Sequence, residues 1–298
     1  MSDSLLHYLR SQKIDPAPIL SRLEQVDHPL CRWLQQQLGE KKRPLLVGIN
    51  GAQGTGKSTF SKRLQILLRE ERSLQSMTLS LDDYYLGKSA RRVLSERVHP
   101  LLQRRGVPGT HDLVRLNHQL ERLFRIQADE QIALSCFDKA SDESADERMW
   151  RCPPQGLDLI LFEGWCVGVP PQPVEALVQP INSLEVRLDP DRQWRHFVNE
   201  QLAGAYRTLF SRMDVLLVLQ APGMASVVEW RALQEEKMRA LQGGGMTPDQ
   251  VVDFVRYFER LTRHMLVEMP QLADVLLPVG EDHQLDSIHL CQELNPCC

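Results

Sequence analysis

Short apolar runs recur along the chain, and within them apolar and polar residues do not alternate. Five of these runs predict strands, at 45–49, 77–81, 157–162, 215–219 and 275–279, and a sixth run at 132–136 is less regular. Strands that are apolar on both faces are typical of a parallel sheet buried between helices. The pattern therefore predicts a sheet with two covered faces.

Between the runs, apolar residues recur at three- and four-residue spacing, which indicates helices. The helical segments are 57–72, 113–127, 190–212, 226–242 and 248–267. Loop-like composition separates them at 86–112, 138–156 and 164–182, and at the turn Gly243-Gly244-Gly245. The alternation of strands and helices favours a layered α/β fold, with a mainly parallel sheet flanked by helices.

The first part of the chain, 4–40, also has helical spacing, interrupted at Pro16 and Pro18. We interpret 1–40 as an N-terminal helical extension, packed on a single core domain over 41–298. With 298 residues, of which 42% are hydrophobic, the chain is long enough for one sizeable core.

Charge and composition exclude some classes of partner. The net charge of -4 gives no global electrostatic reason to expect nucleic-acid binding. No apolar run approaches the ~18 residues that span a bilayer, so no membrane partner is expected. The seven cysteines form no CxxC pair and the N-terminus lacks a signal-peptide pattern, which favours reduced thiols and a cytoplasmic location. We interpret Cys297 and Cys298 as a frayed tail.

The clearest motif is GAQGTGKS at 51–58, which fits the P-loop pattern G-x-x-x-x-G-K-[ST]. Glycines allow the backbone to surround an anion with its N–H groups, and the following helix points its positive end at the phosphates. Lys57 is expected to reach the β/γ-phosphates, and Ser58 to bind Mg²⁺. The motif predicts a P-loop NTPase fold. The expected nucleotide-binding residues are Gly51, Ala52, Gln53, Gly54, Thr55, Gly56, Lys57, Ser58 and Thr59.

Glu163 is the candidate acid for the metal. A guanine-reading Asn-Lys-x-Asp motif is absent, and the run LDLILFEG ends in Glu163 alone, without the Asp-Glu pair of motor ATPases. A carboxylate at the end of a neighbouring buried strand can hold magnesium or its water ligands. The alternative is an acid that merely caps a strand end.

Asp82, in LSLDDYYL, is the candidate base. Its strand follows the P-loop helix, so in a right-handed β-α-β unit Asp82 emerges on the same sheet edge as the P-loop. An acid there can accept the proton of an attacking hydroxyl. Asp83 is the rival for this function and a candidate contact to the substrate. An ordinary strand-to-loop turn is the alternative.

The segment HPLLQRRGVPGTHDL, 99–113, is the candidate acceptor site. Arg104, Arg105 and His111 would suit an anionic group such as a carboxylate, and Asp112 could bind a hydroxyl. These residue types indicate a small hydroxylated substrate, and an acidic one suits the cations. A basic surface loop whose HD pair caps a helix is the alternative.

Together these motifs resemble the P-loop D-glycerate 3-kinases of plants, fungi and bacteria, which are related to uridine kinase, phosphoribulokinase and bacterial pantothenate kinase. The resemblance extends from about 45 to 280. Its order and spacing are more specific than a lone P-loop. The segments that carry it include GAQGTGKST, SLDDYYL, RGVPGTHDL, FDKASDESADERMW, FEGWCVG, VVEWRALQEEKMR and GMTPDQVVDFVRYFERLTRH.

The resemblance implies an ATP-dependent kinase domain over 41–298 that uses Mg²⁺ and converts D-glycerate to 3-phosphoglycerate. Lys57, Asp82 and Glu163 are then the catalytic candidates, and 99–113 is the acceptor side. The segment that begins at FDK is acidic in its middle, where many relatives carry Gly and Arg, and it leaves Lys139 and Arg148 as basic candidates.

Further expectations come from the same resemblance. The region 190–212 is a candidate closing lid, in which an arginine would neutralise transition-state charge. Arg192, Arg195 and Arg207 are the lid candidates, each more readily interpreted as a helix-surface charge; Arg231 and Arg263 are weaker ones, and Trp165, Trp230 and His264 are interpreted as structural. The alternatives are a sister kinase for a nucleoside, sugar phosphate or pantothenate, and an ATP-binding regulator that has no acceptor.

Overall fold

The computed structural model describes residues 3–39, 41–127, 130–242 and 246–291. The predicted turn at Gly243-Gly244-Gly245 and the tail residues Cys297 and Cys298 lie outside the described residues.

A mainly parallel sheet forms the centre of the fold. The strands are β1 Leu45–Gly51, β2 Gln75–Ser80, β3 Phe137–Asp138, β4 Glu143–Ser144, β5 Leu157–Gly164, β6 Val215–Gln220, β7 Val275–Pro278 and β8 His289–Leu290. Six of them pair in the order β2-β5-β1-β6-β7-β8. All pairs in this sheet are parallel except β7 with β8. β3 and β4 form a separate antiparallel hairpin.

Helices connect the strands and cover both faces of the sheet. They are α1 Asp3–Ser11, α2 Pro16–Leu20, α3 His28–Leu38, α4 Lys57–Arg72, α5 Lys88–Arg97, α6 Leu113–Phe124, α7 Ser183–Leu188, α8 Gln193–Gln201, α9 Arg207–Phe210, α10 Met224–Gln242 and α11 Pro248–Leu272. No helix in the described part of the chain is long and apolar enough to cross a membrane.

The two faces of the sheet contribute to two separate apolar clusters. In β1, Leu46 joins one cluster, while Leu45 and Val47 join the other. β5 alternates in the same way, with Ile160 on one side and Leu161 on the other. Because successive side chains of a strand point to opposite faces, this division confirms the predicted α/β fold with two covered faces.

The N-terminal helices pack on the P-loop helix. Leu5, Leu9 and Leu30 are fully buried and share one cluster with apolar residues of α4 and β1. A buried ion pair, Arg63 Nε to Asp27 Oδ1 at 2.7 Å, links α4 to the π-helical turn Leu23–Asp27. The predicted break at the prolines is wrong in position: Pro16 begins α2, because a proline is well tolerated in the first turn of a helix.

The five main strand predictions are confirmed, and the sixth is wrong. The run 132–136 forms no strand; Leu134 makes one isolated bridge, to Arg151. Its backbone is satisfied instead by a buried side chain on α6. Gln119 accepts a hydrogen bond from the Ser135 N–H and donates one to the Ala133 carbonyl.

Two further differences concern segments near the site. The region 86–112, predicted as a loop, contains α5 and the 3-10 turn Pro100–Gln103. The region 190–212, predicted as one helix, is divided into α8, the π-helical turn Leu202–Tyr206 and α9, with non-helical backbone angles at Gly204. The other two predicted loops contain only the short hairpin strands and 3-10 turns.

Candidate active site

The carboxyl ends of β1, β2 and β5 meet at one edge of the sheet. The parallel register pairs Ser80 with Glu163 and Asn50 with Gly164. The P-loop therefore leaves β1 beside Glu163, and Asp82 follows Ser80 at the same edge. The topology brings the three predicted catalytic residues Lys57, Asp82 and Glu163 to one place.

The P-loop wraps tightly before α4 begins at Lys57. Gly54 and Gly56 have φ of +85° and +84°, in the left-handed region that favours glycine. A side chain on Gly54 would also lie 2.9 Å from Cβ of Trp230, so the loop packs directly on α10. The Lys57 ammonium donates to the Ala52 carbonyl at 3.0 Å, inside the cradle that phosphate oxygens would fill.

The other P-loop side chains differ in their contacts. The Thr55 hydroxyl donates to the Ala52 carbonyl at 2.9 Å and closes the loop on itself. The buried Nε2 of Gln53 has no hydrogen-bond partner in the described residues. The side chain of Thr59 is a hydrogen-bond partner of Tyr8 in α1, so it faces the N-terminal extension.

Ser58 and Glu163 supply the oxygen atoms that fit a magnesium ion. Ser58 Oγ lies 3.4 Å from Glu163 Oε1. Burial raises the pKa of Glu163, while the Lys57 charge opposes this rise. Mg²⁺ prefers hard oxygen ligands and usually keeps several from phosphate and water. The described residues contain no cluster of three His, Cys, Asp or Glu that could hold a metal ion, so phosphate and water would have to supply the other ligands.

Asp82 lies between a tyrosine hydroxyl and a lysine ammonium group. Its Oδ1 accepts a hydrogen bond from the Tyr85 hydroxyl at 2.7 Å, and its Oδ2 contacts Lys139 Nζ at 2.8 Å. Burial opposes ionisation, but the Lys139 charge and the two hydrogen bonds outweigh it and hold the pKa of Asp82 below its usual range. Asp82 therefore carries a negative charge in this site.

The neighbouring Asp83 faces another way. Its carboxylate accepts hydrogen bonds from the Phe137 N–H at 3.3 Å and from Arg151 Nη2 at 2.8 Å. Burial raises its pKa, which Arg151 opposes. These contacts attach the segment 137–151 to the sheet edge. Asp82, rather than Asp83, acts electrostatically on Lys57.

His111 is held between two tyrosines beside this carboxylate. Its ring stacks on Tyr85 at 4.5 Å, and its Nδ1 lies 2.6 Å from the Tyr206 hydroxyl. The Gly109 N–H donates to that hydroxyl at 2.9 Å, which leaves the hydroxyl proton for Nδ1, and this pattern assigns the ring hydrogen to Nε2. Burial lowers the pKa of His111 to about 4, with the Asp82 charge opposing.

The neutral His111 ring therefore presents a directed N–H group at neutral pH. Its Nε2 is buried and has no hydrogen-bond partner in the residues that the structure describes. A buried donor without a partner is unfavourable, and an oxygen atom of a bound ligand would satisfy it.

The remaining predicted acceptor residues have individual partners. Arg105 pairs with Asp142 and lies over the ring of Phe137. Arg104 lies 5.2 Å from the ring centres of Phe254 and Tyr257 in α11. Asp112 accepts from the Arg115 N–H at 3.0 Å and caps α6, which matches the alternative interpretation of the HD pair.

The candidate lid arginines do not form one group. Arg195 is buried and pairs with Asp189 at 2.9 Å, so its interpretation as a helix-surface charge is wrong. Arg192 is the left-handed N-cap residue of α8, and Arg207 is exposed on α9. Arg231 pairs with Glu235 and lies over Phe254.

The other candidate residues lie in ordinary structural settings. Arg263 and Arg148 pair with acids of their own segments, Glu259 and Asp146. The Trp165 indole donates to the Gly106 carbonyl at 2.9 Å, and Trp230 stacks on His283. His264 contacts the Pro170 carbonyl.

Four residues near the site were missed by the sequence reasoning: Tyr85, Tyr206, and Arg91 with Asp142, whose side chains form an ion pair at 2.6 Å. Tyr85 stands three residues after Asp82, a spacing that places it on the same turn. Arg91 belongs to α5, which lacks a clear apolar stripe, and no local signal in the sequence distinguishes Tyr206 from an ordinary core tyrosine.

Comparison with known proteins shows what the chain as a whole is similar to. No family model matches the chain. An uncharacterized kinase of Schizosaccharomyces pombe, mug58, is 31% identical over 247 residues, which cover 80% of this chain and 87% of that protein. The chloroplastic D-glycerate 3-kinase of Arabidopsis thaliana is 28% identical over 254 residues, 80% of this chain and 53% of that protein.

A solved structure agrees. The D-glycerate 3-kinase of Cryptococcus neoformans superposes with a TM-score of 0.73 at 26% identity, covering 88% of this chain and 98% of that one. The fold and the phosphate-binding edge thus define a P-loop kinase. Within that class, the chain belongs to the family that includes the D-glycerate 3-kinases.

Proposed function

We propose that the protein transfers the γ-phosphoryl group of ATP to the terminal hydroxyl of D-glycerate, giving 3-phosphoglycerate and ADP. The observation that carries the proposal is the ionised Asp82, which shares the sheet edge with Lys57, Ser58 and Glu163. Similarity to proteins named D-glycerate 3-kinase supports the choice of acceptor.

The nucleotide would bind along 51–59. Backbone N–H groups of the P-loop and the N-terminus of α4 would hold the phosphates, and the Lys57 ammonium would exchange the Ala52 carbonyl for phosphate oxygens. Ser58 and Glu163 would hold Mg²⁺, directly or through water. The ion would neutralise charge on the transferred phosphoryl group.

Asp82 would act as the general base. Its charge would let it accept the proton of the acceptor hydroxyl, and its position at the same sheet edge as the P-loop would bring that hydroxyl near the phosphates. Lys139 would first release Asp82 Oδ2, because its ammonium group contacts the oxygen that the acceptor hydroxyl would approach. His111 Nε2–H would donate to an oxygen of the acceptor, and Arg105 would face its carboxylate.

Phosphoryl transfer depends mostly on positioning and on neutralisation of charge, and these residues supply both. The alternatives remain a sister kinase for another small alcohol and an ATP-binding regulator. A cytoplasmic location stays a prediction.

The test is ADP release by the purified protein with Mg·ATP and a panel of acceptors. The panel contains D-glycerate, L-glycerate, uridine, pantothenate and ribulose 5-phosphate. We expect strong stimulation by D-glycerate alone. Stimulation by a different alcohol would contradict the proposed acceptor, and ATP binding without turnover on any acceptor would favour the regulator.

A further inference from the structure

The β3–β4 hairpin makes two charged contacts with the candidate active site, one from each end of its loop. Lys139 contacts Asp82 at 2.8 Å. Three residues later, Asp142 lies between two arginines: its Oδ2 accepts from Arg91 Nη2 at 2.6 Å, and its Oδ1 accepts from Arg105 Nη1. One short loop thus forms ion pairs both with the candidate base and with two arginines.

Arg91 is an unusual arginine, because its side chain is only 2% exposed. In the part of the chain that the structure describes, Asp142 alone forms an ion pair with it, and its Nε has no hydrogen-bond partner. A buried guanidinium is strongly unfavourable without an opposite charge. The position on α5 therefore requires a carboxylate beside it.

Asp142 supplies that carboxylate, and it is more exposed than Arg91 and has a strained backbone. Its side chain is 27% exposed, and its φ of +58° lies in the left-handed region that costs residues other than glycine about 1 kcal/mol. Arg91 is the one buried residue of the helix α5, whereas Asp142 lies in a hairpin whose strands have two residues each. The cation is the fixed partner and the carboxylate is the replaceable one.

The cation pair lies close to the proposed base. The ring of Phe137, 5.6 Å from the Arg105 guanidinium, packs edge-on against Tyr85, whose hydroxyl binds Asp82. Three residues of chain span at most about 10 Å, so the contacts of Lys139 and Asp142 lie within about that distance of each other along the loop. A hydroxy acid carries the same two features, a group for Asp82 and a carboxylate for the arginines.

We propose that Arg91 and Arg105 bind the carboxylate of the acceptor, and that Asp142 occupies this place until the acceptor displaces it. The inference rests on the proposed function, because it takes the acceptor to be a hydroxy acid. Displacement of Asp142 also moves the loop that holds Lys139. Arrival of the carboxylate therefore releases Asp82 for the acceptor hydroxyl.

The test measures binding of D-glycerate to the full chain by calorimetry, with a non-hydrolysable ATP analogue present. Asp142→Asn keeps the shape of the side chain and tolerates the left-handed backbone, so it removes only the competing charge. We expect D-glycerate to bind about tenfold tighter to this variant. We also expect the variant to unfold at a lower temperature than the wild type, and D-glycerate to restore the difference.

A second variant removes the planar guanidinium donors of Arg91. Arg91→Lys keeps the charge that Asp142 needs but lacks the planar pair of donors, so the fold persists and D-glycerate should bind about tenfold to 100-fold more weakly. Arg92→Met and Asp146→Asn are matched controls: Arg92 is exposed on the same helix and Asp146 is exposed in the same segment. Neither control should change the affinity for D-glycerate.

Unchanged or weaker binding of D-glycerate to Asp142→Asn would overturn the inference and leave Asp142 as a structural tether. Wild-type affinity in Arg91→Lys, or no binding of D-glycerate to either the wild type or Asp142→Asn, would overturn it as well. Tight binding without phosphoryl transfer would contradict the proposed function alone. Transfer to D-glycerate with no effect of either variant would support that function and reject the carboxylate site.

Discussion

The ammonium group of Lys139 lies 2.8 Å from Oδ2 of Asp82, the oxygen that would accept the hydroxyl proton in the proposed reaction. The other carboxylate oxygen accepts a hydrogen bond from the Tyr85 hydroxyl, so both oxygens of the proposed base have a partner. Lys139 is 60% exposed and can leave without disturbing the core. The contact lowers the pKa of Asp82, and in the proposed reaction it must open before the acceptor hydroxyl can bind.

The two adjacent acids should differ sharply when each is changed to the amide. Asp82→Asn removes the proton acceptor, so kcat with D-glycerate should fall by about 10²- to 10⁴-fold, while ATP binding is retained. Asp83→Asn is the matched control, because Asp83 binds Phe137 and Arg151 rather than the reacting groups. Steady-state kinetics check both variants. An Asp82→Asn enzyme with near-normal kcat would reject the base assignment.

Loss of Lys139 should change the pH dependence of the reaction. Its charge holds the pKa of Asp82 low against the effect of burial, and activity is lost as the pH falls through that pKa. Lys139→Met should therefore move the acidic limb of the kcat/KM profile, which reports the free enzyme, to higher pH. Arg148→Met, an exposed arginine of the same segment, is the control. An unmoved limb would show that another group controls ionisation of the base.

His111 should make the fold less stable in acid. Its pKa is about 4 in the folded protein against 6.5 for the free side chain, so below pH 6.5 the unfolded chain binds a proton that the folded one excludes. This contribution is complete above pH 6.5 and is lost as the pH falls towards 4. Between pH 7 and pH 5 it amounts to about 2 kcal/mol in the free energy of unfolding.

Urea denaturation at pH 7 and pH 5 checks this value. His111→Gln should lose this part of the pH dependence, whereas His118→Gln, at an exposed position of α6, should keep it. If the free energy of unfolding changed equally between pH 7 and pH 5 in the wild type and in His111→Gln, His111 would be protonated in the folded state.

The two left-handed glycines of the P-loop should respond differently to alanine. Each substitution should destabilise the loop by about 1–2 kcal/mol, because φ is positive at both positions and alanine disfavours that conformation. Gly54→Ala also places a methyl group 2.9 Å from Trp230, whereas Gly56→Ala finds its nearest neighbour at 3.9 Å. Nucleotide titration should show about tenfold weaker ATP binding for Gly56→Ala and a larger loss for Gly54→Ala. Equal losses would contradict the packing argument.

The sheet could be predicted from the sequence because its strands are buried on both faces. β1 is buried along its whole length, and its predicted part, 45–49, contains no polar side chain. The P-loop motif then located Lys57 and Ser58, and right-handed β-α-β topology located Asp82. These predictions depend on local pattern and general topology, which one sequence contains.

The acceptor side could be predicted only in part, because its elements are defined by polar burial. α5 buries Arg91 in place of an apolar stripe, so hydrophobic spacing did not reveal it. The opposite error occurred at 132–136, where the apolar run predicted a strand. Its backbone groups form hydrogen bonds with the Gln119 side chain instead of with a neighbouring strand. The contact between Tyr206 and His111 joins residues 95 positions apart, which no local pattern shows.

The most direct test of the central claim is the identity of the product formed from D-glycerate. ³¹P NMR of a reaction with Mg·ATP, run with the wild type and with Asp82→Asn, measures both the acceptor atom and the need for the base. The account predicts one 3-phosphoglycerate for each ADP from the wild type, and almost none from the variant. ADP without a phosphoglycerate, or phosphate on the C2 hydroxyl, would contradict it.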